Sequence, residues 1–238
     1  MSKKLKLLKF EQNKGFPHFF EPNQLYMPDQ DFQFKSCWNK EFFKNPNPIV
    51  VEFGCGKGEY AVELAKMYPD KNFVGIDIKG ARMWKGAKDS LELNMKNIAF
   101  VRTRADFAQK CFDKNEVSEI WITFPDPQLG PKKRIRKRLT STVFLRYYQN
   151  ILIDNGIINL KTDDDTLYEY TKSILTRNQL EILIDTADLY ASEYYNNILA
   201  IKTHYEKIWN KENKTIKYLR FRLPNNLVLN EVPVDEDE

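Results

Sequence analysis

The sequence predicts an α/β fold: a mostly parallel sheet of seven strands, helices on both faces, and an antiparallel hairpin at one edge. Three observations carry this. Short apolar runs alternate with stretches of helical periodicity roughly 10–15 residues long, the pattern of βαβ units. The first apolar run ends in a glycine-rich turn. The last two strand-like runs are separated by a looser segment, which suits antiparallel pairing.

The elements follow in order. Residues 1–47 read as an irregular arm, with Pro17, Pro22, Pro28 and Pro46 breaking any period. Its aromatics (Phe16, Phe19, Phe20, Tyr26, Phe32, Phe34) predict that it lies on the domain rather than acting as a flexible linker. PIVVEF (48–53) is a buried-strand pattern that ends at Gly54. Residues 58–68 place Tyr60, Ala61, Leu64, Ala65 and Tyr68 at helical spacing. NFVGIDI (72–78) reads as a strand, 80–95 as a helix and NIAFV (97–101) as a strand. SEIWITF (118–124) is a strand stopped by Pro125, with Trp121 in the core. Residues 140–153 read as a helix, GIINLKT (156–162) as a strand and 164–178 as a helix. LEILIDT (180–186) and TIKYLRFRL (215–223) form the edge hairpin. The domain is expected to run from 48 to 231, with an acidic tail at 232–238. Crossovers in such a sheet are right-handed, and ligands bind beyond the carboxyl ends of the strands. The loops after Phe53, Asp77, Val101, Phe124 and Thr162 therefore share one rim.

Composition narrows the function. At 238 residues the chain suits one α/β domain and is short for two. With 42% hydrophobic and 29% charged residues it is globular rather than disordered. No run approaches the roughly 18 apolar residues of a membrane span, and no apolar stretch of a secretory signal follows the basic start. Cys37, Cys55 and Cys111 are odd in number and widely spaced, which argues against a disulfide framework and fits a reducing cytoplasm. With His18 and His204 as its two histidines, the chain is not expected to use a metal. The net charge is only +4, but six of the seven residues from Lys132 to Arg138 are basic. That cluster reads either as a patch for phosphates or as a solvated surface run.

The first loop is Glu52-Phe53-Gly54-Cys55-Gly56-Lys57-Gly58. Its glycines fall G-x-G-x-G, so the dinucleotide spacing G-x-G-x-x-G fails, and no G-K-[ST] follows for a phosphate loop. Glu52 at the strand end would repel a pyrophosphate and favour a cationic ammonium or sulfonium. Asp77, at the end of the second strand, stands where an acid commonly binds ribose hydroxyls. Together these fit S-adenosylmethionine, held by Glu52, Gly54, Gly56 and Asp77. The competing reading is a helix-capping turn with two surface acids. Arg104 and Asp106 follow the third strand, where an adenine would rest.

The fourth strand ends in Thr123-Phe124-Pro125-Asp126-Pro127. Each proline fixes its own φ and restricts its neighbour, so Asp126 is held stiffly at the carboxyl edge. Alone this is a Pro-rich loop. A fixed acid followed five residues on by cations also suits a nucleobase held by its edge while its backbone is gripped.

At this point the sequence resembles the bacterial tRNA (guanine-N7-)-methyltransferases, the TrmB family. The resemblance rests on VEFGCGKGE, on FPDP followed by KKRIRKR, on GIINLKTD (156–163) and on Thr203-His204-Tyr205-Glu206, all in the family's order. It implies a Rossmann-like class I S-adenosylmethionine-dependent methyltransferase fold. It also implies a cytoplasmic enzyme, monomeric or homodimeric, that methylates N7 of the variable-loop guanine of tRNA and releases S-adenosylhomocysteine. By resemblance Glu52, Asp77, Arg104 and Asp126 match cofactor-side positions, and Asp126 the proposed catalytic acid. Lys132, Asp163, Thr203, Tyr205 and Glu206 match substrate-binding positions. After Pro-Asp-Pro the family has an aromatic residue and a histidine. This chain has Gln128-Leu129-Gly130-Pro131, so the match to Lys132 requires a two-residue insertion. Two other readings stand beside this one: a methyltransferase of another substrate, and a non-catalytic RNA-binding module on the same fold.

Overall fold

A computed structural model describes residues 2–22, 30–130, 132–203, 206 and 214–232, with the side chains of Lys132 and Lys133 outside that description. In chain order its regular elements are α1 (Lys3–Lys14), β1 (Phe19–Phe20), β2 (Ile49–Phe53), α2 (Glu59–Met67), β3 (Asn72–Asp77), α3 (Gly80–Glu92), β4 (Ile98–Arg102), α4 (Ala108–Cys111), β5 (Val117–Thr123), α5 (Thr142–Gln149), β6 (Leu152–Thr162), α6 (Asp165–Arg177), β7 (Ile182–Thr186) and β8 (Lys217–Leu223). Short helical turns add Trp38–Phe43 and Lys132–Lys137.

The sheet runs β1-β4-β3-β2-β5-β6-β8-β7, parallel from β1 to β6 and antiparallel at β6–β8 and β8–β7. All five residues of β2 are buried, as a central parallel strand requires. The order reverses beside β2, between β3 and β5, so the ligand-binding crevice of this architecture opens there.

The alternation of side chains divides the core. Val51, Phe53, Ile76, Val101, Ile122 and Leu160 face one layer with α5 and α6. Val50, Phe73, Phe100, Trp121 and Tyr218 face the other, with side chains from α2 and α3, and Trp121 is buried as core. Among the described residues no helix is long and apolar enough to cross a membrane.

The structure corrects the sequence reading in three places. The sheet has eight strands rather than seven, because Phe19 and Phe20 pair with Phe100 and Val101 of β4. Two residues are too few to display a period. The arm is not irregular throughout: α1 is capped by Ser2, whose Oγ accepts from the Leu5 amide at 3.3 Å. The helix expected at 140–153 stops at Gln149, and β6 begins at Leu152 rather than 156. Ile151 and Leu152 are fully buried, and their apolar run reads equally well in either state.

Among the described residues, Phe20 and the segment from Phe32 to Phe43 are bound by aromatic contacts, while Tyr26 lies outside the description. Phe20 meets Phe32, Phe34, Trp38 and Phe42 at centroid distances of 5.7, 5.2, 6.2 and 5.3 Å. The Trp38 indole donates to the Cys111 carbonyl at 2.9 Å.

Candidate active site

A cleft of about 1100 Å³ opens at the carboxyl ends of β2 to β6. Gly54, Gly56, Asp77, Arg104, Asp106, Asp126, Asp163 and Thr203 all line it. The rim expected from the sequence thus brings together side chains that lie far apart along the chain.

The glycine loop is fixed from β3. Gly54, Gly56 and Gly58 have φ of 73°, 56° and 71°, in the left-handed region that side chains disfavour. The amides of Gly54 and Cys55 both donate to the Ile76 carbonyl, at 2.8 and 3.1 Å. Asp77 Oδ2 accepts from the Gly56 amide at 2.9 Å and Oδ1 from the Lys79 amide at 2.8 Å. Asp77 therefore shapes the loop as well as bordering the cleft. The loop also closes directly on α3: a Cβ at Gly86 would lie 2.7 Å from the Lys57 carbonyl oxygen.

Glu52 is not on the cleft wall. It is buried beneath the loop, where Oε2 accepts from the Ala61 amide at 3.0 Å and Oε1 from the Thr123 hydroxyl at 2.6 Å. Burial pushes its carboxyl up to about 8; those hydrogen bonds offset part of the rise and Asp77 adds to it. The side chain ties the first turn of α2 to the end of β5.

Asp126 is exposed on the lining of the same cleft, on a loop held under strain. Phe124 and Gln128, which bracket Pro-Asp-Pro, have φ of 49° and 53°. The Phe124 amide donates to the Lys161 carbonyl at 2.8 Å, and Asp126 Oδ1 accepts from the Gln128 amide at 2.9 Å.

Arg138 corrects the reading of the basic run. Its guanidinium is turned inward, where Nε donates to the Pro127 carbonyl at 2.9 Å and the group lies 4.5 Å from the Tyr170 ring centroid. It clamps the Asp126 loop rather than meeting solvent. Arg134, Arg136 and Lys137 are exposed, the last two on the cleft wall. The side chain of Lys132 lies outside the described residues.

Arg104 Nε donates to Asp106 Oδ1 at 2.9 Å. Asp163 Oδ2 lies 3.5 Å from Lys214 Nζ. Glu206 is fully buried behind the cleft rather than lining it, paired with Lys161, while its amide donates to Thr203 Oγ1 at 3.2 Å. Tyr205 lies outside the described residues. Phe144 and Tyr147 of α5 add an aromatic wall, and Lys57, Lys79 and Arg82 add cations. Sequence reasoning missed these, because an aromatic pair at helical spacing reads as core. Among the described residues no group of three or more His, Cys, Asp or Glu side chains is arranged to hold a metal ion.

Comparison with known proteins accords with this geometry. Residues 46–219 match a family model described as a putative methyltransferase. A protein of Bacteroides fragilis (strain YCH46) named tRNA (guanine-N(7)-)-methyltransferase is 48% identical over 232 residues, covering 98% of this chain and 91% of that protein. One of the same name from Christiangramia forsetii is 47% identical over 224 residues, covering 94% of this chain and 100% of that one. Among solved structures, the 16S rRNA methyltransferase KamB superposes with a TM-score of 0.61 at 14% identity, covering 82% of this chain and 95% of that one, a likeness of fold alone.

Proposed function

From the premise that this chain belongs to the tRNA (guanine-N(7)-)-methyltransferase family, we propose that it transfers the methyl group of S-adenosylmethionine to N7 of a variable-loop guanine in tRNA. The observation that carries this is the meeting, in one cleft, of the Asp77-braced glycine loop with the rigid Asp126. Gly54, Gly56, Asp77, Arg104 and Asp106 are the residues that would hold the cofactor. Bound there, S-adenosylmethionine supplies an electrophilic methyl on a sulfonium. The methyltransferase unit is taken as 48–231, with 1–47 as an arm laid on it and 232–238 as a tail. The workplace implied by a tRNA substrate is the cytoplasm.

Guanine N7 carries a lone pair and no proton, so no base is needed to generate the nucleophile. What the site must provide is in-line positioning, exclusion of water, and negative charge near a purine that becomes cationic. Asp126, stiffened by its prolines and the Arg138 clamp, accepts hydrogen bonds from guanine N1–H and the exocyclic amine. Asp163 and Thr203, on the same cleft, share the base or its ribose. Lys132 and Tyr205 keep the substrate-side roles the family pattern assigns. Glu52 and Glu206 act from beneath, the first by tying the start of α2, just after the glycine loop, to the end of β5, the second by holding the segment that carries Thr203.

The test is incubation with methyl-labelled S-adenosylmethionine and unmodified tRNA, followed by borohydride–aniline cleavage, which cuts at 7-methylguanosine. Cleavage at one variable-loop guanine is the expected result. Label without that cleavage would move the reaction to another atom or base, and no label would point to a non-catalytic RNA-binding protein.

A further inference from the structure

We propose that α1 and the outward face of α3 form a second phosphate-binding surface, which grips the substrate RNA away from the reacting guanine. The inference rests on tRNA being the substrate. Segments 2–14 and 79–92 together carry nine Lys or Arg against three acids, Glu11, Asp89 and Glu92. That is a denser excess than the whole chain's +4 over 238 residues.

The two helices are one rigid surface. Asn13 Nδ2 donates to the Gly80 carbonyl at 2.9 Å, and the Trp84 indole donates to Gln12 Oε1 at 2.7 Å. Phe10 lies against Gly80 so closely that a Cβ there would sit 2.9 Å from its ring. Across the joint, Lys9 and Lys88 both lie over the Trp84 ring, at 4.3 and 5.4 Å from its centroid. Lys3, Lys4 and Lys6 stand in solvent, and none has an acidic partner among the described residues.

The strip also leads somewhere. Lys79 and Arg82, at the start of α3, line the cleft itself. A polyanion whose base enters the cleft therefore meets the Arg134–Lys137 cations on one side and the α3–α1 cations on the other. The exposed Leu5, Leu7 and Leu8 (44%, 58% and 52% accessible) would equally suit an anionic lipid surface. Continuity with the cleft favours RNA.

The experiment uses the full chain with Lys3, Lys4 and Lys6 all changed to Gln, a residue that keeps the helix. Dissociation constants for unmodified tRNA are measured over a salt series, with S-adenosylhomocysteine affinity by calorimetry as the fold control. The expected result is about tenfold weaker tRNA binding at low salt. The slope of log K against log salt should become shallower by about 0.9 for each phosphate that is no longer neutralised. A hairpin bearing only the target loop should bind both proteins alike. Equal tRNA affinity and equal slope in the two proteins would overturn the proposal. So would co-sedimentation with phosphatidylserine vesicles that the triple change abolishes while tRNA binding stays put. If the unmodified protein itself neither binds nor methylates tRNA, the functional reading fails instead, which is a separate outcome.

Discussion

Lys161 Nζ lies 2.8 Å from Glu206 Oε1, and both side chains are fully buried. The same ammonium donates to the carbonyls of Leu199 and Ile201 at 2.8 and 3.2 Å, so β6 is fastened to the segment that brings Thr203 to the cleft. Glu206 Oε1 also accepts from the Tyr190 hydroxyl. Burial lowers the Lys161 pKa, and Glu206 opposes that shift. Such a pair is weak evidence for stability as a whole, but removing one member strands the other in a dry interior. Lys161→Met should destabilise the fold by about 3–5 kcal/mol in urea unfolding. Adding Glu206→Gln should recover part of that deficit. An unchanged midpoint in the single variant would show that the pair fastens nothing.

Asp126→Asn should lower kcat about 10²–10³-fold, the scale of removing one preorganised electrostatic group at developing charge. The pH dependence of kcat should keep its shape, because no proton is drawn from N7. Steady-state kinetics across pH decide this. A variant that keeps most of its turnover would remove Asp126 from the chemistry, and loss of one limb of the profile would make it a base.

Glu52 gives stability a pH dependence with a definite sign. Its carboxyl is near 8 in the folded protein against an ordinary 4.5, so between those values the folded state binds the extra proton. Its contribution is therefore complete below about 4.5 and lost as pH rises through about 8. Gln at this position keeps both hydrogen bonds, accepting from Ala61 and donating to Thr123, without a titrating proton. Unfolding free energies from pH 5 to 8 should fall less steeply for Glu52→Gln than for the parent. Parallel curves would mean that the carboxyl is already ionised when folded.

Gly58 has φ of +71°, and a Cβ there would lie 2.6 Å from Phe100 Cε1. Gly58→Ala adds left-handed strain of about 1–2 kcal/mol and overpacking of about 1–3 kcal/mol. Thermal unfolding should register the sum, and calorimetry should register weaker S-adenosylmethionine binding because the loop shifts. A variant with parental Tm and affinity would contradict the close approach of the loop to Phe100 of β4.

The parallel core was legible because period-2 and period-3.6 patterns are written locally, and the G-x-G-x-G loop because glycine takes its three positive φ angles at the least steric cost. The arm was not. In α1 the apolar Leu5, Leu7 and Leu8 are exposed while Asn13 is buried, the reverse of the signal that marks a helix on a core. Which way a charged side chain turns was also hidden. Nothing in KKRIRKR distinguishes Arg138, spent on Pro127 and Tyr170, from the exposed Arg136 two places earlier. Glu52 and Glu206 stood at the right positions in the pattern. Their inward orientation is set by Ala61, Thr123 and Lys161, which are near only after folding.

The two residues Phe19 and Phe20 carry a consequence for how copies of this chain meet. They occupy the outer flank of β4, where the Phe100 amide donates to the His18 carbonyl at 2.8 Å. Without that cover, β4 would offer a bare ladder of donors and acceptors beside a hydrophobic face, the template on which strangers stitch together. Trimming the chain before residue 21 should therefore yield particles that grow with concentration in light scattering. The same cut would leave Phe32, Phe34 and Phe42 without the ring they enclose. A short tether at the margin of the sheet thus acts as a guard on solitude.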